Sequence, residues 1–152
     1  MVSRPDAEWE KTIRENLSFL FTSDGGKVLK SERYPKLFGN KSAVVQVGSV
    51  LLKISNDRGL LEAEIAPEHS PAEWELITLA VASLDMENED SNIPPRPSFG
   101  TFVGLSQLLA PRINQLHNAF SPTNYPETKR KMHKMHGPAW QGRLAGGWQT
   151  PS

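Results

Sequence analysis

The spacing of apolar residues changes along the chain, and each change marks an element. Between Asp6 and Phe21, Trp9, Ile13, Leu17 and Leu20 stand four, four and three residues apart, which is one face of an amphipathic helix. Lys11, Arg14 and Glu15 occupy its other face. Ser3 or Asp6 is positioned to cap it, Pro5 is tolerated in its first turn, and Asp24-Gly25-Gly26 stops it. From Lys27 the period shortens toward two. KVLKSER reads as an edge strand, because the following Tyr34-Pro35 removes a ladder donor. Leu37-Phe38-Gly39-Asn40 forms a bend in which Phe38 tucks against the sheet.

The stretch from Leu37 to Ile65 predicts an antiparallel meander. Gly48-Ser49 suits a two-residue type II′ turn, whose first position favours glycine. That turn pairs Val47 with Val50, Val45 with Leu52 and Ala43 with Ile54 on one apolar face. Val44, Gln46, Leu51 and Lys53 fall on the other face. Asn56-Asp57-Arg58-Gly59 permits more than one loop, so the face pattern chooses the register. Pairing Ser55 with Leu60 sets Ile54 opposite Leu61, Leu52 opposite Ala63 and Val50 opposite Ile65. A slip of one residue would bury Glu62 and Glu64 unpaired, at a cost of several kcal/mol.

Helical spacing then returns. Ser70-Pro71-Ala72-Glu73 has the form of a capping box, predicting a helix from Ser70 to about Leu84 with Trp74, Ile77, Val81 and Leu84 inward. Leu76, Leu79 and Ala80 widen its stripe, as expected of a helix pressed on the sheet and covered by a further helix. Residues 85–98, acidic and proline-rich, read as an exposed linker. Phe102, Leu105, Leu109, Ile113, Leu116 and Phe120 follow at helical spacing, with Pro111 expected to kink or split the element. Past Ser121 the periodicity fades.

The expected class is therefore α+β: an N-terminal helix, an antiparallel β-meander of three to four strands, then two to three helices packed on one face of the sheet. Residues 1–120 form a single domain and residues 121–152 a basic, poorly ordered tail. A chain of 152 residues is long enough for a substantial core, burying roughly two thirds of its unfolded surface.

Composition narrows the function. Lys and Arg total 17, equal to Asp and Glu, so net charge favours neither wholesale nucleic-acid binding nor a membrane surface. The charges are nevertheless segregated. Between Gly59 and Pro95 there is no Lys or Arg, while Glu62, Glu64, Glu68, Glu73, Glu75, Asp85, Glu87, Glu89 and Asp90 lie inside. Beyond Ser121, Lys129, Arg130, Lys131, Lys134 and Arg143 face Glu127 alone. The absence of cysteine excludes disulfides, thiolate metal sites and a cysteine nucleophile. The polar N-terminus lacks the apolar core of a signal peptide, and no run approaches the roughly 20 apolar residues of a spanning helix. Together these features predict a cytoplasmic protein without a membrane partner.

Catalytic signatures are missing. No glycines form GxGxxG or a P-loop, and no serine sits in GxSxG. His133-x-x-His136 has metal-ligand spacing but lacks a third ligand nearby, so no metal and no cofactor is expected. Glu62 and Glu64 share a strand face and are close enough for acid–base chemistry, although such a pair is more often a solvated face. His69 and His117 stand isolated, where capping or surface roles are common. Lys129, Arg130, Lys131 and Lys134, with Tyr125 and Trp140, could bind phosphates and stack bases, but short basic tails are mostly solvated. The acidic block would steer a basic partner; its structural alternative is that Glu73 and Glu75 serve a helix dipole and the linker acids maintain solubility.

A helix, then RYPKLFGNKSAVVQVGSVLLKISNDRGLLEAEI, then a tryptophan-containing helix ending in ASLD, resembles small bacterial immunity proteins encoded beside polymorphic or contact-dependent toxins. The resemblance covers about residues 8–85 and rests on the FGN bend, the short hairpin and the NDRG turn. It implies a protein that binds and neutralises a toxin without catalysis. Because many such toxins are basic nucleases, the implied partner is a basic protein, met by Glu62, Glu64, Glu68, Glu73 and Glu75 with Asp57 and Arg58 at the adjoining turn. Two alternatives remain: a small enzyme or ligand-binding domain with a pocket between sheet and helices, and nucleic-acid binding through the basic tail.

Overall fold

The structure, a computed structural model, describes residues 3–37, 39–84 and 100–134. Phe38, the expected linker 85–98, His136 and the tail beyond residue 134 lie outside the described residues. The class is α+β, with six strands in one antiparallel sheet of order β1 to β6 and six helices among the described residues.

Asp6 caps α1 (Ala7–Asn16), its carboxylate accepting from the Trp9 amide at 2.9 Å. The predicted single helix breaks after Asn16 and resumes as α2 (Phe19–Thr22), yet Trp9, Ile13, Leu17 and Leu20 are all buried as expected. Pro5 does not enter the helix. With Arg4 it forms the short strand β1 (Arg4–Pro5), paired with Glu32 and Arg33 of β2 (Lys27–Tyr34), so the edge strand has a partial cover.

β3 (Asn40–Val47) and β4 (Val50–Asp57) pair in the predicted register, and Gly48 takes φ +58° at their turn. The register between β4 and β5 (Leu60–Pro67) differs from expectation by two residues: Asp57 meets Leu60, Ile54 meets Ala63, Leu52 meets Ile65 and Val50 meets Pro67. The turn decides this. Arg58 and Gly59 both take positive φ, +55° and +89°, the signature of a two-residue type I′ turn. Asn56 accepts from the Gly59 amide at 2.8 Å, and Asn40 accepts from Arg58 while donating to Asp57. A slip of two leaves every side chain on its face, so the apolar pattern could not exclude it.

Ser70-Pro71-Ala72-Glu73 is a turn rather than a helix start. Its serine hydroxyl does bond the Glu73 carboxylate, but the chain then enters β6 (Glu75–Leu76), paired with Glu64 and Ile65. Sheet pairing therefore replaces the predicted first helical turns, and α3 (Ile77–Leu84) begins three residues after Trp74. Ile77 through Ser83 are buried all round, as a wide stripe requires, but Leu76, expected in that stripe, is 61% exposed on β6. Pro111 separates α4 (Phe102–Leu109) from α5 (Ile113–Ala119), with Thr101 capping the former.

Within residues 121–152, expected to be mostly poorly ordered, ten residues form a helix. α6 (Tyr125–Lys134) is a helix whose Tyr125, Thr128 and Met132 are buried. Thr128 donates to the Ala119 carbonyl at 2.7 Å, and the Tyr125 and Phe120 rings lie 5.3 Å apart. Helix residues and the inward face Ala43, Val45, Val47, Val50, Leu52, Ile54, Leu61, Ala63 and Ile65 belong to one core cluster. Among the described residues the helices thus share the main core with one face of the sheet.

Candidate functional site

The opposite face of the sheet is built by alternation. Lys30, Glu32 and Tyr34 reach it from β2, Ser42, Val44 and Gln46 from β3, Leu51, Lys53 and Ser55 from β4, and Leu60, Glu62 and Glu64 from β5. Its charge is not uniform. At β2, Lys30 pairs with Glu32 at 3.0 Å, and the Tyr34 hydroxyl donates to Glu32 at 2.8 Å, holding that carboxyl below its usual range. Lys53 stands opposite Glu64 and places its ammonium 5.7 Å from the Trp74 ring centre. Leu51 and Ala66 form a buried cross-strand pair on this side, outside the main core. Toward the margin, Glu62 is exposed beside Leu60 and Leu76, which are 63% and 61% exposed.

The seven acidic-surface candidates do not form one patch. Glu62 and Glu64 share the outer face of β5, and Asp57 and Arg58 lie at the turn leading into it. Glu68 lies past the far end of that strand, roughly 25 Å from the turn and roughly 13 Å beyond Glu64, where its amide donates to the Ser49 carbonyl at 2.8 Å. Glu73 and Glu75 line a separate cleft of about 210 Å³ with Trp74, Tyr125, Lys129, Met132 and His133.

That cleft joins the acidic block to the basic helix. Glu73 Oε1 contacts Lys129 Nζ at 2.5 Å and lies 3.5 Å from the Tyr125 hydroxyl, the outer limit of a hydrogen bond. The Lys129 ammonium, then the Ser70 hydroxyl, hold Glu73 below the ordinary carboxylate range. Burial, then the charges of Glu73 and Glu75, push the Tyr125 phenol up to about 12. The spacing Tyr125, Thr128, Met132 was the available sign of this helix, hidden by the basic residues between them.

The raised phenol yields a measurable expectation. The folded protein keeps its Tyr125 proton where an unfolded chain, with a tyrosine pKa near about 10, has lost it. Stability from this group is therefore complete below about pH 10 and declines as pH rises toward about 12. In the Tyr34→Phe variant, which leaves Tyr125 as the single tyrosine, absorbance titration should show phenolate forming near pH 12. Ionisation near pH 10 with the fold intact would contradict the burial.

A second hollow of about 350 Å³ lies between α3, α5 and α6, lined by residues including Ser83, Gln115, Asn118, Asn124 and Thr128. Neither His69 nor His117 lines either cleft. His69 packs edge-on to Tyr125 at 5.6 Å, and His117 Nδ1 accepts from the Ser49 amide at 3.0 Å, tying α5 to the hairpin turn. Among the described residues no group of three His, Asp or Glu side chains could hold a metal, and no helix is long and apolar enough to cross a membrane. No protein-family model, characterised protein or solved structure matches the chain.

Proposed function

We propose that the chain is a non-catalytic binding protein of the immunity type, which neutralises a basic bacterial toxin domain by docking the outer face of β5 against it. The observation that carries this reading is the outer row of β5, in which Leu60 and Glu62 are exposed and Glu64 is half-buried between Lys53 and the exposed Leu76. Carboxylates there supply a field that accelerates encounter with a cationic surface, and the flanking leucines supply apolar area that becomes favourable only on contact. Asp57 and Arg58 extend the row at its turn. Glu73, already engaged by Lys129, and Glu68, at the far end, are peripheral to it. In this role the protein acts in the cytoplasm of the bacterium that makes the toxin, and needs no cofactor.

The test uses the polypeptide encoded beside the gene as the partner. Glu62→Lys combined with Glu64→Lys should reduce its association rate about ten-fold at low ionic strength, with a smaller loss at high salt. An unchanged rate and affinity, with circular dichroism confirming the fold, would show that the surface is wrongly assigned.

A further inference from the structure

We propose that the cleft formed by Glu73, Trp74, Glu75 and Tyr125 is a receptor for a lysine side chain of the basic partner, and that Lys129 occupies it until the partner arrives. This deepens the functional reading above and rests on it. The cleft, at about 210 Å³, is smaller than the roughly 300 Å³ at which pockets for small molecules usually begin. It suits one side chain.

Its walls match an alkylammonium group. Two carboxylates and two aromatic rings line it, and Met132 adds apolar surface for a methylene stem. One of the protein's own cations already reports the preference: Lys129, itself in the cleft wall, sets its Nζ on Glu73 at 2.5 Å. Lys129 is nevertheless 58% exposed, and an ion pair so open to water contributes little stability. Exchanging one ammonium for another leaves the ionic contact intact. The internal lysine acts as a tethered competitor with an effective concentration in the millimolar range, so it lowers apparent affinity for an incoming amine without closing the site.

The experiment follows the Trp74 indole N–H resonance of the full-length protein, assigned by its loss in Trp74→Phe. Probes are Nα-acetyl-lysine methylamide, the uncharged norleucine analogue and tetramethylammonium chloride. The lysine probe should shift the resonance and the norleucine probe should not. Lys129→Met should tighten lysine-probe binding about ten-fold, Lys129→Gln should do the same, and adding Glu73→Gln to either should abolish the gain. The proposal fails if removing Lys129 leaves affinity unchanged in both folded variants, or if norleucine binds as well as lysine. Tighter binding of tetramethylammonium than of lysine would also overturn it, assigning the cleft to a free quaternary cation. Slowed association in the Glu62 and Glu64 variants, with no response at Trp74, would remove this inference alone.

Discussion

Replacing Phe120 with alanine should lower unfolding free energy by about 3–5 kcal/mol, a large share of the roughly 5–15 kcal/mol typical of a domain. Phe120 is fully buried at the C-terminal end of α5, belongs to the main core, and packs its ring 5.3 Å from Tyr125 at the start of α6. Truncation leaves a cavity and takes away the support of the helix that follows. Urea unfolding should show a reduced midpoint, and the lost contact with Tyr125 should also reduce far-ultraviolet helical signal at moderate denaturant. A loss below about 1 kcal/mol, well under the usual cost of truncating a buried aromatic, would mean that the site collapses around the gap or that Phe120 is not enclosed.

The second large effect is expected at Gly48. An alanine there meets two independent obstacles. Its φ of +58° lies in the left-handed region, which costs an L-residue about 1–2 kcal/mol. An added Cβ would also collide with Nδ1 and Cε1 of the His117 ring, an overpacking cost of about 1–3 kcal/mol. Gly48→Ala should therefore destabilise by the sum of both contributions. In a His117→Ala background the same substitution should show only the backbone part, and the difference, read from a double-mutant cycle, measures the collision. Equal cost in both backgrounds would mean that the imidazole does not press on the turn.

These two positions differ in how far they were legible. Phe120 closes an apolar series that runs from Phe102 at helical spacing, and Gly48 suits the first position of a type II′ turn, so both were assigned from the chain alone. Their partners were not. Nothing local couples His117 to a hairpin 68 residues away, and Tyr125 stands in a segment whose basic residues mask three buried positions. The candidate surface is legible in the same uneven way. The cost of burying Glu62 and Glu64 unpaired predicts both on the outer face, and they lie there. Glu73 and Glu75 belong to the same acidic run in sequence, but the turn and β6 carry them to the cleft with Tyr125 and Lys129.

The apolar periodicity by itself determined the α+β class, the two faces of the meander, the β3–β4 register, the break at Pro111 and most of the inward-facing residues. Those properties depend on local turn geometry and on which side chains can leave water, and both are written in neighbouring residues. Tertiary structure decided the β4–β5 register, the use of Glu75 and Leu76 as an edge strand, and the docking of α6. In each case the local options were close in energy. A two-residue slip keeps every face, a capping box also fits a turn, and a basic segment with three buried anchors gains little until the core receives them. Contacts from distant parts of the chain selected among these options.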